Sequence, residues 1–305
     1  MYRAVKPPPP ALIPPAVPRW IRQAVGRDDP EIAMLSAGAA LATLDPFVRS
    51  DDLVGMLWRK RLALTAAAAI SGFEGRREGE AELRDVLALC KSGDDPGPAG
   101  RMLIGWRALG EARALRSAEW PARLPGFFDL SPEPVSVLLQ DLGARFVGRA
   151  HPMRFAAQAA RDVLALGPAY RGLALWLADA ALARALGQDR PVPLLAPHLP
   201  RSAFRLEGDA WLAACARAWG RAAVAAIDLH VDLARRADAL RAANLRRPGK
   251  DTAAIITALQ SEDALAAQAG KEASDRAARR LLGRLTSLGL VRELTGRPTF
   301  RLYGL

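Results

Sequence analysis

The chain has 305 residues, of which 50% are hydrophobic, so it can form two domains with buried cores and is not a disordered protein. Its formal net charge of +11 favours an anionic partner. The alternative explanation for part of this excess is a GC-rich coding sequence, because arginine largely replaces lysine. The two cysteines, Cys90 and Cys215, both lie in helical patterns, which predicts a reducing cytoplasmic location rather than a disulfide framework.

Residues 1–28 are predicted to form a proline-rich N-terminal arm. The prolines at positions 7–10, 14, 15 and 18 interrupt the apolar residues, so the segment does not resemble a secretion signal. Such a stretch favours polyproline-like backbone. A docking segment that lies across another part of the protein, or across a partner, is the alternative interpretation.

Residues 29–247 show helical periodicity throughout, and no strand is predicted before a hairpin near the C-terminus. Asp29, Ser131 and His151 each precede a proline, which is typical of a helix start. We therefore predict an all-α domain. The predicted helices cover residues 30–44, 51–72, 78–90, 98–114, 132–142, 152–166, 169–186 and 208–243.

The most apolar stretch is residues 169–186, but it does not have the composition of a membrane span. Arg171, Asp179 and Arg184 interrupt it, and charged side chains are costly inside a bilayer. We expect a buried central helix and no membrane partner.

The sequence contains no recognisable catalytic or cofactor motif. His151, His198 and His230 are far apart and have no further ligands at metal-binding spacing. Asp228 and Asp232 flank His230 at two-residue spacing, which points the side chains in different directions on a helix. Phosphate-binding glycine motifs are absent, and residues 93–98 form a turn whose two acids would repel phosphate. We therefore expect no metal, no cofactor and no enzymatic activity.

Residues 248–305 are predicted to form a separate C-terminal domain. Asp251 is the expected N-cap of a first helix, whose apolar face carries Ile255, Ile256 and Leu259. A short second helix is expected to follow, and Gly270 would end it. The second helix would contain Ala264, Leu265 and Ala267.

Ser274 is the expected N-cap of a third helix, and Gly289 is its expected end. Two β-prone runs at residues 291–294 and 299–303 flank the turn residues 295–298, which predicts a β-hairpin. Three helices followed by a hairpin are typical of a winged helix-turn-helix, whose hairpin is called the wing. The apolar face of the third helix is expected to carry Ala278, Leu282, Leu285 and Leu288.

This arrangement predicts binding to double-stranded DNA, with the third helix in the major groove. Arginine suits both guanine edges and phosphates. The alternative is a solvated basic face on a module for dimerisation or for docking a protein partner. A homodimer would supply two recognition helices for a palindromic site. The predicted DNA-binding residues are Lys271, Ser274, Asp275, Arg276, Arg279, Arg280, Arg284, Arg297 and Arg301.

Two segments of the helical region resemble Fic-type proteins. Residues 58–75 form an alanine-rich stretch that ends in Phe73-Glu74-Gly75, similar to the N-terminal helix of that family, where a glutamate inhibits the active site. Residues 166–173 and 193–195, each before a long helix, are similar to its core order. A winged helix commonly ends such chains. The resemblance implies a multi-helix Fic-like domain followed by the winged helix.

The family's catalytic loop, His-Pro-Phe-x-x-Gly-Asn-Gly-Arg, is missing. Gly167, Arg171 and Gly172 are its only counterparts at the corresponding place, without a histidine base. His151-Pro152-Met153 matches the start of the motif, but alanines and a glutamine follow where glycines are needed. The resemblance therefore implies a degenerate, noncatalytic domain, in which Glu74 has a structural role.

Residues 93–101 and 294–298 are also similar to a family of uncharacterised bacterial proteins of about this length. This likeness implies a coherent fold but no activity. We therefore expect a noncatalytic DNA-binding protein, a transcriptional regulator or nucleoprotein component. The alternatives are a Fic-like nucleotidyl or phosphoryl transferase that acts on protein, and a scaffold that binds protein through the winged helix.

Overall fold

The computed structural model describes residues 16–91, 93–111, 120–133, 135, 137, 151–243, 250–266, 275–295 and 300–305. These residues are predominantly α-helical with three short strands, which confirms the predicted all-α class. They divide into two compact units. The helical unit holds the described part of residues 17–49 and 59–227, and the C-terminal unit holds residues 50–58 and the described part of 228–305.

Two 3-10 turns, Pro168–Tyr170 and Arg201–Arg205, lie among the α-helices of the chain. In chain order, the α-helices of the described residues are α1 (Arg19–Ala24), α2 (Pro30–Val48), α3 (Leu53–Phe73), α4 (Glu80–Leu89), α5 (Gly97–Leu109), α6 (Trp120–Phe128), α7 (Pro152–Leu164), α8 (Arg171–Ala185), α9 (Leu195–His198), α10 (Gly208–Ala242), α11 (Lys250–Ser261) and α12 (Asp275–Ser287).

Helix α2 begins at the predicted residue, Pro30, but ends at Val48, beyond the predicted end at residue 44. The Asp29 carboxylate accepts hydrogen bonds from the amides of Glu31 and Ile32 at 2.9 and 3.0 Å, which caps the first turn. The helix continues beyond its predicted end through Pro46, because Phe47 and Val48 are buried and their packing offsets the cost of an internal proline. By length and composition alone α2 could cross a membrane, but it carries the buried stripe of a core helix.

Other differences from the prediction have local causes. Helix α5 ends at Leu109, before the predicted end, because Gly110 follows as its C-cap. Helix α11 begins at Lys250, so Asp251 lies in its first turn, where an acid is also favoured, rather than at the predicted N-cap. The short helices α1, α6 and α9 were not predicted, since each has fewer residues than a periodic pattern needs. Of the helix predicted over residues 132–142, only 132, 133, 135 and 137 belong to the described chain, and they are helical.

Helix α8 is the centre of the helical unit, as its apolar sequence predicts. Every residue from Gly172 to Ala183 is buried, and α7 packs along it. Tryptophan side chains tie neighbouring elements together by donating buried hydrogen bonds. Trp176 donates to the carbonyl of Gly105 on α5 at 2.9 Å, and Trp211 donates to the carbonyl of Ala157 on α7 at 2.8 Å.

The C-terminal unit contains a small antiparallel sheet with strands β1 (Leu265–Ala266), β2 (Arg292–Glu293) and β3 (Leu302–Gly304), in the order β1-β3-β2. Leu265 and Glu293 both pair with Tyr303, from opposite sides. The prediction of a helix at Ala264 and Leu265 is therefore wrong. The prediction that no strand precedes the hairpin is wrong for the same reason. Pairing with the buried strand β3 outweighs the helical preference of this alanine-containing segment. Ala267 and Gly270 lie outside the described residues.

Candidate functional site

Helix α12 presents one buried face and one basic face. Ala278, Leu282 and Leu285 are at most 4% exposed, as their spacing predicts. Gly289 follows the helix with φ 68°, and the amide of Leu290 donates to the Leu285 carbonyl at 3.0 Å, so the predicted glycine stop is confirmed. Leu288 was predicted to be on the buried face, but it is 56% exposed because it lies past the last helical turn.

The basic face of α12 lies opposite the buried face. Arg280 and Arg284 are exposed there, one helical turn apart, and Arg279 is exposed at the edge of this face, about 100° around the helix from Ala278. Asp275 and Arg276 occupy the first turn of the helix, where their side chains are outside the described structure. Lys271, Ser274 and Arg297 also lie outside the described residues. The structure therefore brings together the three arginines in the middle of α12.

The base of the hairpin is fixed by a threonine. The Thr295 hydroxyl accepts a hydrogen bond from the Leu302 amide at 3.0 Å and donates one to the Phe300 carbonyl at 3.1 Å. The Leu294 amide donates to the Leu302 carbonyl at 2.7 Å. Thr295 is 6% exposed and Leu302 is 1% exposed, so the hydroxyl supplies an acceptor for a backbone amide that water does not reach.

Two further arginines flank this hairpin. Arg301, a predicted DNA-binding residue, is exposed and lies 3.5 Å from the carboxylate of Glu293. Arg292 is exposed on β2 and was not among the predicted residues. The alternation with buried Val291 was the one sequence signal that could have placed Arg292 on the solvent side.

The helical unit contains a cavity of about 400 Å³, formed where several helices begin or end. The C-terminal end of α3 contributes Phe73, and the residues after it contribute Glu74 and Arg76. The start of α5, the end of α6 and the 3-10 turn before α8 complete the wall. The remaining lining residues are Pro98, Met102, Phe127, Phe128, Asp129, Leu130, Pro168, Ala169 and Arg171.

The charged groups of this cavity form a partly buried network. Arg76 Nη2 lies 2.7 Å from Glu74 Oε2, and each of these side chains is 26% exposed. Arg171 Nη1 donates to the Phe73 carbonyl at 3.3 Å, beside Arg201, which donates to the same oxygen at 2.8 Å. Both cations thus neutralise the carbonyl end of α3. Burial raises the pKa of Glu74 above its ordinary value, although Arg76 and Arg171 oppose this shift.

Glu74 and Arg171, which the Fic-type resemblance marks as a structural glutamate and a remnant of the missing catalytic loop, both line the cavity. A Cβ atom at Gly172 would lie 2.8 Å from Cδ1 of Phe128, so Gly172 packs closely against this lining residue. Arg76, Phe127 and Phe128 were missed. Their participation depends on how helix ends meet, which periodicity does not reveal.

The histidines lie at separate places. His151 precedes Pro152 at the start of α7, as predicted, and does not line the cavity. Burial, together with Arg221, lowers the pKa of His198. His230 is buried, and its ring meets that of Trp58 edge-on with centroids 5.7 Å apart. Within the described ranges, no group of three histidine, cysteine or acidic residues could hold a metal ion.

Asp232, near His230 on α10, is engaged by arginines. Its carboxylate lies 2.5 Å from Arg235 and 2.7 Å from Arg236. Burial acts to raise the pKa of Asp232, but these two hydrogen-bonded arginines outweigh it and hold the pKa below its ordinary value. The carboxylate therefore serves an ion-pair network on α10.

Comparison with protein families shows the family to which the chain belongs. The sequence profile of the family described as "Protein of unknown function (DUF1403)" matches residues 11–305, so the chain belongs to this family. A comparison with curated proteins gives no match.

Proposed function

We propose that this member of the DUF1403 family is a noncatalytic DNA-binding protein, a transcriptional regulator or nucleoprotein component, in which residues 248–305 form a winged helix. The observation that carries the proposal is the sheet order β1-β3-β2. In winged helices a short strand after the first helix pairs with the second strand of the wing, as β1 after α11 pairs with β3 here. The rest of the predicted second helix, from Ala267 to its expected end at Gly270, falls outside the described residues.

The charge distribution on α12 supports duplex DNA as the partner. A helix in the major groove needs one face for the protein core and the opposite face for the nucleic acid. Ala278, Leu282 and Leu285 occupy the first face, and Arg279, Arg280 and Arg284 are exposed away from it. Guanidinium groups bind guanine edges in pairs of hydrogen bonds and also clamp phosphates. Arg292 and Arg301 add positive charge beside the hairpin.

A mobility-shift assay across a salt series tests this proposal. We expect affinity for duplex DNA to fall steeply with salt, and the double variant Arg279→Ala/Arg280→Ala to bind more weakly, with a salt slope smaller by about 1 for each phosphate that is no longer neutralised. The matched control is Arg235→Ala/Arg236→Ala, which removes the same charge from arginines that pair with Asp232. Equal binding by the Arg279/Arg280 variant and the unchanged protein would refute the proposed interface. If the control lost as much affinity as this variant, the loss would be due to the lower net charge of the protein and not to the position of Arg279 and Arg280.

We propose in addition that the helical unit is a degenerate Fic-like domain. The support is that the separate segments carrying that resemblance, around Glu74 and around Arg171, line one cavity. A nucleotidyl or phosphoryl transferase is the second candidate function, because the same cavity could admit a small substrate. Incubation with labelled nucleoside triphosphates separates the two candidates. The noncatalytic proposal expects no transferred label, and transfer that depends on Arg171 or His151 would establish the enzyme.

Two copies of the chain would present two α12 helices to a palindromic DNA site, so we propose a cytoplasmic homodimer as the DNA-binding form. Sedimentation with and without DNA measures this directly. A stable complex with a protein that DNA competitor does not displace would instead favour the scaffold alternative.

A further inference from the structure

We propose that the cavity of the helical unit binds a small organic anion, a carboxylic acid with an apolar aromatic or branched body. This goes beyond DNA binding and does not depend on it. The cavity volume, about 400 Å³, lies in the range of small-molecule sites. Such sites combine a mainly apolar wall with a few polar groups that orient the ligand.

The side chains that line the cavity indicate that the ligand has an apolar body. Phe73, Phe127 and Phe128 come from two different helix ends and face the same space, together with Met102 and Leu130. Aromatic side chains contribute large apolar area and favour edge or offset contacts with a ring. An extended polyanion would leave this surface unmatched, because its charges would be desolvated against hydrocarbon.

Arg76 indicates that the ligand carries a carboxylate. Its guanidinium is held at the cavity wall, with Nη2 2.7 Å from Glu74 and 3.3 Å from the Met102 sulfur. Arginine binds carboxylates through two parallel hydrogen bonds. Arg171 supplies a second positive charge, but its Nη1 is already directed at the Phe73 carbonyl. Arg76 is therefore the anchor, and Arg171 supports it electrostatically.

Glu74 is the internal competitor of the ligand. It pairs with Arg76 at the cavity wall, yet burial disfavours its charged form. A ligand carboxylate takes its place beside Arg76 while Glu74 turns toward solvent, to which 26% of its side chain is already exposed. Removing the charge of Glu74 should therefore tighten anion binding, whereas a purely structural Glu74–Arg76 pair predicts no such gain.

The test uses the full chain and two matched probes, 3-phenylpropionate and its neutral amide, 3-phenylpropionamide, with affinity measured by ligand-observed NMR and calorimetry. We expect the carboxylate to bind about tenfold more tightly than the amide, a preference that one arginine pair can supply. Arg76→Ala should remove that preference, and Glu74→Gln should strengthen carboxylate binding several-fold. Arg77→Ala is the control, because Arg77 is the exposed neighbour of Arg76 and does not line the cavity.

A second variant guards against misfolding of Arg76→Ala. Ala169 is exposed at the cavity rim, so Ala169→Phe should occupy the space without disturbing the core, and should abolish binding of both probes. The proposal is overturned if both probes bind equally, if neither binds at millimolar concentration, if Glu74→Gln weakens carboxylate binding, or if Arg77→Ala acts like Arg76→Ala. Binding of ATP in place of the carboxylate would also overturn it and would favour the transferase.

Discussion

Trp219 donates a hydrogen bond of 2.8 Å from its indole nitrogen to the carboxylate of Asp179, inside the helical unit. The amides of Leu194 and Leu195 donate to the same carboxylate at 2.7 and 3.1 Å. Asp179 is 2% exposed, so one acidic side chain connects α8, α10 and the start of α9 in the protein interior.

This carboxylate should make stability depend on pH. Burial raises the pKa of Asp179 to about 7, although its three donors oppose the shift. In the unfolded chain an aspartate titrates near 4. The folded state therefore holds a proton that the unfolded state has lost, so the contribution of Asp179 to stability is complete below about pH 4 and declines as pH rises through about 7. The loss is on the order of 4 kcal/mol at most.

Urea unfolding at pH 5 and pH 8 measures this dependence. Asp179→Asn should lose less stability than the unchanged protein between these two pH values. The exposed Asp189→Asn is the control and should retain the full dependence. The same pH dependence in both variants would show that Asp179 does not titrate in this range.

Gly283 should separate helix stability from DNA binding. It lies on the exposed face of α12, and a Cβ there would meet no atom within 4 Å. Glycine inside a helix costs about 0.5–1 kcal/mol relative to alanine, so Gly283→Ala should raise the free energy of unfolding by that amount. If DNA approaches the α12 backbone between Arg279 and Arg284, the same methyl group should weaken DNA binding. A variant that is more stable and binds DNA equally well would argue against this close approach.

Thr295 should be needed for the hydroxyl rather than for the shape of its side chain. Thr295→Val keeps the shape but leaves the Leu302 amide without its present acceptor, which should lower the free energy of unfolding by about 1–3 kcal/mol. Amide exchange at Leu302 should accelerate. Thr295→Ser retains the hydroxyl and should stay closer to the unchanged protein. If valine and serine were tolerated equally, the two hydrogen bonds would not stabilise the hairpin.

Two glycines near the cavity should respond differently to alanine. At Gly172 the new Cβ would lie 2.8 Å from the Phe128 ring and 3.3 Å from Ile70, so Gly172→Ala should cost about 1–3 kcal/mol through overpacking. At Gly126 nothing lies within 4 Å, and Gly126→Ala should be neutral or stabilising. Thermal unfolding of the two variants checks this contrast. Equal unfolding temperatures would mean that Phe128 can move aside without cost.

The sequence predicts well where a pattern is long and local. Helix α8 was recognisable from its apolar run, and its few charged residues already indicated a buried helix rather than a membrane span. The role of Asp179 within it was not predictable. Its donors come from Leu194, Leu195 and Trp219, and only the folded chain brings these residues to one point.

In the candidate site, too, local patterns could be predicted from the sequence and long-range contacts could not. The glycine-terminated α12 could be predicted from spacing alone, together with the buried positions of Leu282 and Leu285. Strand β1 could not, because Leu265 and Ala266 carry no alternating pattern and their partner Tyr303 lies far along the chain. The cavity was likewise hidden, since each of its walls is the end of a different helix.

The central position of β3 has a consequence for the order in which the C-terminal unit folds. Its pairing with β2 closes a short loop, whereas its pairing with β1 closes the much longer loop between Ala266 and Leu302, at a larger entropic cost. We expect the hairpin to form early and β1 to join last. In pulse-labelled hydrogen exchange, the amides that pair β2 with β3 should then become protected before those of Leu265 and Ala266. Addition of β1 would be the last step in the assembly of the sheet.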